Sequence, residues 1–264
     1  MNKYTLKANG VKWILAIIVV PRKKIAGILA IILILTGIMF YAAHYEQALR
    51  TESILRNLTI VIDPGHGGVD GGTRDDQGNM EKDINLAIGL KLWGQLRQSG
   101  LNVLITRETD TDLSPFISGR TGRHRKDLLA RIQKARENRS LFLLSIHCDW
   151  SEARYRRGVV AFYNYLSPLS KMLALSIQEE LNRVQDKPQK AAPGNYFIIR
   201  QHGVTGVLVE VGFLSNAEDA KQLRDPTYQE KLALAIAAGI LKKCRIHIPE
   251  KRPTESECPA GNGF

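Results

Sequence analysis

The chain has 264 residues, 44% of them hydrophobic, and a formal net charge of +11. That length suits one domain with a real core and some extra sequence. Three cysteines, Cys148, Cys244 and Cys258, are too few and too odd in number for a disulfide framework. No row of aromatics alternates with the basic residues, which argues against nucleic acid as a partner.

The extra sequence lies at the front. Residues 1–24 form a basic segment, and Ile25 to Ala43 is a run of 19 uncharged residues, close to the roughly 20 that cross a bilayer as a helix. A shorter apolar run, Trp13 to Val20, cannot span alone. Residues 1–43 hold six of the 37 basic residues and no acid, so the remainder carries about +5. Basic flanks stay cytoplasmic, which directs the remainder outward. The expectation is a membrane anchor over 25–43, with a cleaved signal segment as its rival. A core helix is disfavoured, because so many aliphatic residues in a row leave no polar face.

Residues 44–57 read as a linker into a globular part over 58–247. Leu58 to Ile62 is β-rich and ends in Asp-Pro-Gly, a strand followed by a turn. A glycine-rich stretch follows, then a helical pattern from Glu81 to Ser99, where Ile84, Ile88, Leu92 and Leu96 recur every four residues. Leu101 to Thr106 is the next strand, and Arg107 to Gly122 an irregular loop. Leu128 to Asn138 reads as a helix, Leu141 to Ile146 and Gly158 to Tyr163 as strands, and Leu166 to Val184 as a helix. Tyr196 to Arg200 and Val207 to Val211 are expected strands. Asn216 to Leu223 and Tyr228 to Lys243 are closing helices, and residues 248–264 a loose, polar tail. This alternation predicts an α/β fold, a mostly parallel twisted sheet with helices on both faces.

Open sheets of that kind place their sites beyond the carboxyl ends of the strands. His66 follows the first strand of the globular part, Glu81 opens the next helix, His147 ends a buried strand and Glu210 ends a late one. Two histidines and a glutamate are one common set of three zinc ligands, with a fourth position left for water. A carboxylate outside that set can move the proton. Glu210 suits the role, because an ionised carboxylate among Val207, Leu208, Val209 and Val211 is costly without a purpose. Singly, each residue has a plain explanation: a turn histidine, a helix-start glutamate, a core histidine, half of a buried ion pair. Cys148 adjoins His147, but neighbours on a strand face opposite ways, so it reads as a small buried residue.

Thr59 to Gly72 (TIVIDPGHGGVDGG), Met80-Glu81-Lys82-Asp83, Ser145-Ile146-His147 and Val209 to Asn216 (VEVGFLSN) resemble the zinc-dependent N-acetylmuramoyl-L-alanine amidases. The likeness runs from about Leu58 to Lys243. Thr106 to Leu113 (TRETDTDL) and the basic helix Arg123 to Asn138 resemble the germination-specific spore cortex type. The resemblance implies Zn2+ held by His66, Glu81 and His147, with Glu210 as the catalytic glutamate. It implies cleavage of the amide joining muramic acid to L-alanine in peptidoglycan, for cortex maturation through muramic-δ-lactam and for germination. Arg131 matches a recurrent arginine on the helix before the His147 strand. Contact with substrate, support behind the ligands and a solvated helix face all stay open for it. The forespore intermembrane space is the implied location, and an activator protein is a partner the resemblance leaves open.

Two departures stand out. Where the family usually has a small or apolar residue and then asparagine after the second histidine, this chain has Cys148-Asp149-Trp150. Relatives regulated by an inhibitory helix carry a long insertion where Ser151 to Arg157 forms a short link. A zinc hydrolase of another amide and a non-catalytic wall-binding protein are the alternative functions.

Overall fold

A computed structural model describes residues 2–8, 11–17, 21–56, 59–114, 122–201 and 203–244. Leu58 and the tail over 248–264 lie outside them. The chain divides into two compact units, Met1–Ser53 and Ile54–Phe264.

The first unit begins with an antiparallel hairpin of β1 (Asn2–Ala8) and β2 (Val11–Ile17). Most of the short apolar run from Trp13 is therefore strand. Helix α1 (Arg22–Arg56) follows. Its stretch Lys24–Glu46, with a hydropathy of 2.5, is long and apolar enough to be a candidate membrane span. The helix continues to Arg56, through most of the segment expected as a linker. That segment holds no proline or glycine, so nothing in it stops a helix once nucleated.

The second unit contains β3 (Thr59–Pro64), α2 (Glu81–Gln98), β4 (Asn102–Ile105), α3 (Arg123–Glu137), β5 (Phe142–Asp149), β6 (Val160–Tyr163), α4 (Pro168–Leu181), β7 (Ala192–Pro193), β8 (Gly206–Phe213), α5 (Ala217–Leu223) and α6 (Pro226–Cys244). The sheet order is β4-β3-β5-β8-β6-β7. The first four run parallel, while β6 pairs antiparallel with β8 and β7 runs parallel to β6. This is the expected mostly parallel sheet, with its direction reversed at one edge.

Both faces are covered, so side chains alternate between two cores. Ile60 and Ile62 of β3 join Ile88 and Leu92 of α2, Leu173 and Ile177 of α4, and Ile236 and Ile240 of α6. Val61, Leu143 and Leu208 face the other way, onto Ile132 and Ala135 of α3. Asn216 caps α5, its side chain accepting from the Glu218 and Asp219 N–H groups.

The expected strand at Tyr196–Arg200 is instead a 3-10 turn, Phe197–Ile199. Ile198 and Ile199 are buried in the second core. Gly206 comes so close that a Cβ there would lie 2.6 Å from Ile199 Cα. Aromatic and branched residues suit a half-buried surface, and here tertiary packing supplies that surface without a strand. The edge position goes to the two residues of β7, which stops at a proline. Helix α3 starts five residues before the expected Leu128.

Candidate metal centre and active site

The site is built on the carboxyl edge of the parallel strands. Gly65 extends the β3 ladder by one bond, its N–H donating to Ile146 O at 2.9 Å. The next residue, His66, turns into the left-handed region with φ 60, a costly conformation for a non-glycine residue and one that clusters at functional sites. Gly65 lies against the ring of His147, and an added Cβ would fall 2.2 Å from its Cε1. Gly72, with φ +67, closes the other side, where a Cβ would meet Glu81 Oε2 at 2.5 Å and His66 Cδ2 at 2.7 Å. Side chains are missing at both positions because ligand-bearing groups occupy the space.

Glu81 is the first residue of α2 and is buried. Its Oε2 accepts from the Thr73 N–H at 2.9 Å and the Thr73 hydroxyl at 3.2 Å. Its Oε1 accepts from Asn85 Nδ2 at 3.2 Å and the Cys148 N–H at 3.1 Å. The same Oε1 lies 3.2 Å from His66 Nε2 and 2.9 Å from His147 Nδ1. The two imidazoles are 5.0 Å apart between centroids and nearly perpendicular, at 78°. One ligand atom from each of His66, Glu81 and His147 lies within 4.8 Å of the others.

The surroundings favour a cation there. Burial works against a charge on His66, yet the carboxylates of Asp70 and Glu81 outweigh it and raise its pKa to about 9. Asp70 Oδ2 sits 3.0 Å from His66 Nδ1. Burial also opposes ionisation of Glu81, but the two imidazoles beside it hold its pKa far below the usual carboxylate range. Two nitrogens and a carboxylate oxygen, converging in a cradle kept clear by two glycines, are a donor set that fits zinc.

Glu210 is paired in register with His147 across β5 and β8. It is buried, and among the described residues its Oε2 has no hydrogen-bond partner. Burial pushes its pKa well above the ordinary value, and the carboxylates of Asp149 and Glu81 push the same way. A β-bulge between His147 and Asp149 shifts the register just beyond this pair. Cys148 points into the core, as expected for a small buried residue, and its thiol donates to Asn85 Oδ1 at 3.5 Å. Asp149 Oδ1 accepts from the Trp150 N–H at 2.7 Å, and Trp150 is exposed. Burial raises the Asp149 pKa, while that N–H and Arg156 lower it.

Arg131 is buried, which excludes a solvated helix face. Its Nη1 donates to Asp63 Oδ1 at 2.7 Å and Pro64 O at 2.8 Å, its Nη2 to His66 O at 2.7 Å, and its Nε to Asp127 Oδ2 at 2.7 Å. It therefore supports the turn that carries His66. Asp63 also accepts from the Thr106 and Ser145 hydroxyls, each at 2.8 Å. The sequence assigned no role to Asp63, Asp70, Arg107 or Asp127. Asp63 and Asp70 lie in Thr59 to Gly72, Arg107 in Thr106 to Leu113 and Asp127 in the basic helix, so the resemblance contained all four without giving any of them a task.

Residues 60–242 match the family described as Amidase_3: N-acetylmuramoyl-L-alanine amidase. The germination-specific N-acetylmuramoyl-L-alanine amidase of Bacillus subtilis (strain 168) is 36% identical over 186 residues, 69% of this chain and 78% of that protein. Among solved structures, the CwlD amidase from Clostridioides difficile, in complex with the GerS lipoprotein, is 36% identical with a TM-score of 0.68. That match covers 72% of this chain and 100% of the other. The catalytic domain of CwlV from Bacillus (Paenibacillus) polymyxa var. colistinus is 30% identical with a TM-score of 0.63, over 72% and 99%. The match spans β3 to α6 and takes in every residue of the convergent site: this chain belongs to the N-acetylmuramoyl-L-alanine amidase family.

Proposed function

We propose that this chain hydrolyses the amide between the lactyl group of N-acetylmuramic acid and L-alanine. His66, Glu81 and His147 hold zinc, and Glu210 is the catalytic residue. One observation carries the proposal: three ligand atoms meet within 4.8 Å beside a buried carboxylate oxygen that has no hydrogen-bond partner among the described residues. When bound, zinc supplies a Lewis acid that polarises the scissile carbonyl and makes water more acidic.

The chain's own groups do the rest. Glu210 Oε2 accepts a proton from the attacking water and passes it to the amide nitrogen. The water oxygen bonds to the lactyl carbonyl carbon, the C–N bond breaks, and L-alanine leaves with a free amine. Burial and the carboxylates of Asp149 and Glu81 raise the Glu210 pKa, which favours its holding the proton between the two transfers. Asp70, 3.0 Å from the other ring nitrogen of His66, keeps that imidazole oriented, and Arg131 holds the turn beneath His66.

The likeness to a germination-specific relative supports a role in germination, and the proposed setting is removal of peptide stems from spore cortex, yielding stem-free muramic acid for conversion to the δ-lactam. The span Lys24–Glu46 would hold the enzyme at a membrane, its catalytic unit outside the cytoplasm in the forespore intermembrane space. The relative bound to a lipoprotein supports an activator protein as a partner here too.

The test uses purified muropeptides, zinc and the full chain in detergent. New L-alanine amino termini should appear, and Glu210→Gln should lower kcat by roughly 10²- to 10⁴-fold while zinc stays bound. Stem release by Glu210→Gln at the wild-type rate would refute the assignment. Peptide-bond products with the muramyl amide intact would point to a different amide hydrolase.

A further inference from the structure

We infer that Arg107 is a positioning residue that sets the spacing between two ligand-bearing segments, and with it the affinity of the site for zinc. The inference rests on the metal-centre proposal above. Arg107 lies past β4, among residues 106–114, which form no helix or strand, yet it is buried. Its Nη2 donates to Gly65 O at 3.0 Å and to Lys82 O at 2.7 Å. Gly65 precedes His66, and Lys82 follows Glu81. A single nitrogen thus bridges the backbones that carry two of the three ligands.

The rest of the guanidinium locks that bridge in place. Nε donates to Pro64 O at 3.0 Å and Nη1 to Thr109 O at 3.2 Å. The side-chain stem packs where a Cβ on Gly67 would come within 3.0 Å of it. Arg131 donates to Pro64 O as well, so two guanidinium groups share one carbonyl and grip three consecutive residues, Pro64 to His66. The arrangement is costly. Burial and the charge of Arg131 both lower the Arg107 pKa, with Asp63 the foremost carboxylate opposing them. An apolar side chain would fill the same space more cheaply. What it could not do is span two carbonyls with donors fixed in one plane, and lysine, a point charge, cannot either.

Asn85 makes a second bridge between the same segments, from Gly65 O at 3.3 Å to Glu81 Oε1 at 3.2 Å. Lys134 provides the contrast. Its ammonium holds Ile105 O at 2.7 Å and Thr106 O at 3.2 Å, the residues just before Arg107, and neither acceptor belongs to the ligand-bearing backbone.

The experiment compares wild type, Arg107→Lys and Lys134→Met as full chains in detergent, with zinc affinity read by competition against a chromogenic chelator. Far-UV circular dichroism of the metal-free proteins checks folding. Arg107→Lys should bind zinc 10- to 100-fold more weakly, with kcat restored to within a few-fold at saturating zinc, while Lys134→Met keeps wild-type affinity. Equal affinity in Arg107→Lys and wild type, or an equal loss in both variants, would overturn the inference. If Arg107→Lys does not fold, Arg107→Gln takes its place under the same criteria. A wild type that binds no zinc refutes the metal centre itself, whereas a wild type that binds zinc as Arg107→Lys does refutes only the role of Arg107.

Discussion

Gly65→Ala is the smallest change that should disable the site. The added Cβ would lie 2.2 Å from His147 Cε1, 2.3 Å from Nε2 and 2.7 Å from Nδ1. Ordinary carbon contact begins near 3.5 Å, so ring and turn must separate by about 1.3 Å. Neither side yields easily. The turn is gripped through the carbonyls of Pro64, Gly65 and His66, and His147 sits in a strand paired on both sides. Metal–ligand distances tolerate only about 0.2 Å, and a 1 Å misplacement costs on the order of 100-fold in rate. The expected result is a loss of at least about 100-fold in kcat/KM, or about 2.7 kcal/mol of transition-state stabilisation, with zinc affinity falling in parallel. Gly94→Ala is the control, because nothing lies within 4 Å of its new Cβ and the residue is inside α2. It should leave activity unchanged and stabilise the protein by about 1 kcal/mol. Muropeptide turnover and chelator competition measure both variants. Wild-type turnover and zinc affinity in Gly65→Ala would refute the claim that this glycine is required by the approach of His147.

Asp63→Asn removes one partner of a buried ion pair and should cost about 3–5 kcal/mol at pH 7 by denaturant titration. Burial opposes the Asp63 charge, but Arg131 and the Ser145 and Thr106 hydroxyls win and hold its pKa below normal. Its contribution is therefore complete above the unfolded value of about 3.9 and lost as pH falls through the lower folded value. The gap between wild type and variant should stay constant from pH 7 to about 5 and narrow only below about 4; a gap that widens in acid would contradict the sign. Gly239→Ala tests the fold apart from the site: its Cβ would lie 2.5 Å from Ile177 Cα, between α6 and α4. Overpacking there should cost about 1–3 kcal/mol in unfolding experiments and leave zinc affinity intact, and an unaltered melting temperature would show that the two helices can move apart.

Local patterns carried much of the molecule. The β-rich run into Asp63-Pro64-Gly65, the four-residue recurrence from Ile84 to Leu96 and the buried run at Leu141–Ile146 each became the expected element, because burial on a sheet or helix face imposes its period on the chain. The convergence of His66, Glu81 and His147 was legible too, since a parallel sheet collects strand ends at one edge. Tyr196–Arg200 misled because its residues suit burial in more than one backbone conformation, and the approach of Gly206 selected a turn. Arg107 looks like an ordinary charged residue of a loop, and Arg131 stood out by resemblance alone with its role open; only folding surrounds them with carbonyl oxygens.

The alternation of strands and helices, the apolar segment ahead of a globular unit, and the histidines and glutamates at strand ends and a helix start are all legible in the chain. These are properties of neighbours a few residues apart, recorded in hydrophobic period and turn chemistry. Tertiary structure alone decided the reversal at β6, the left-handed turn at His66 and the partnership of Asp63, Arg107 and Arg131 beneath it. Those features depend on groups dozens of residues apart in the chain, where the cost of burying a charge is met only once the fold has brought its acceptors within about 3 Å.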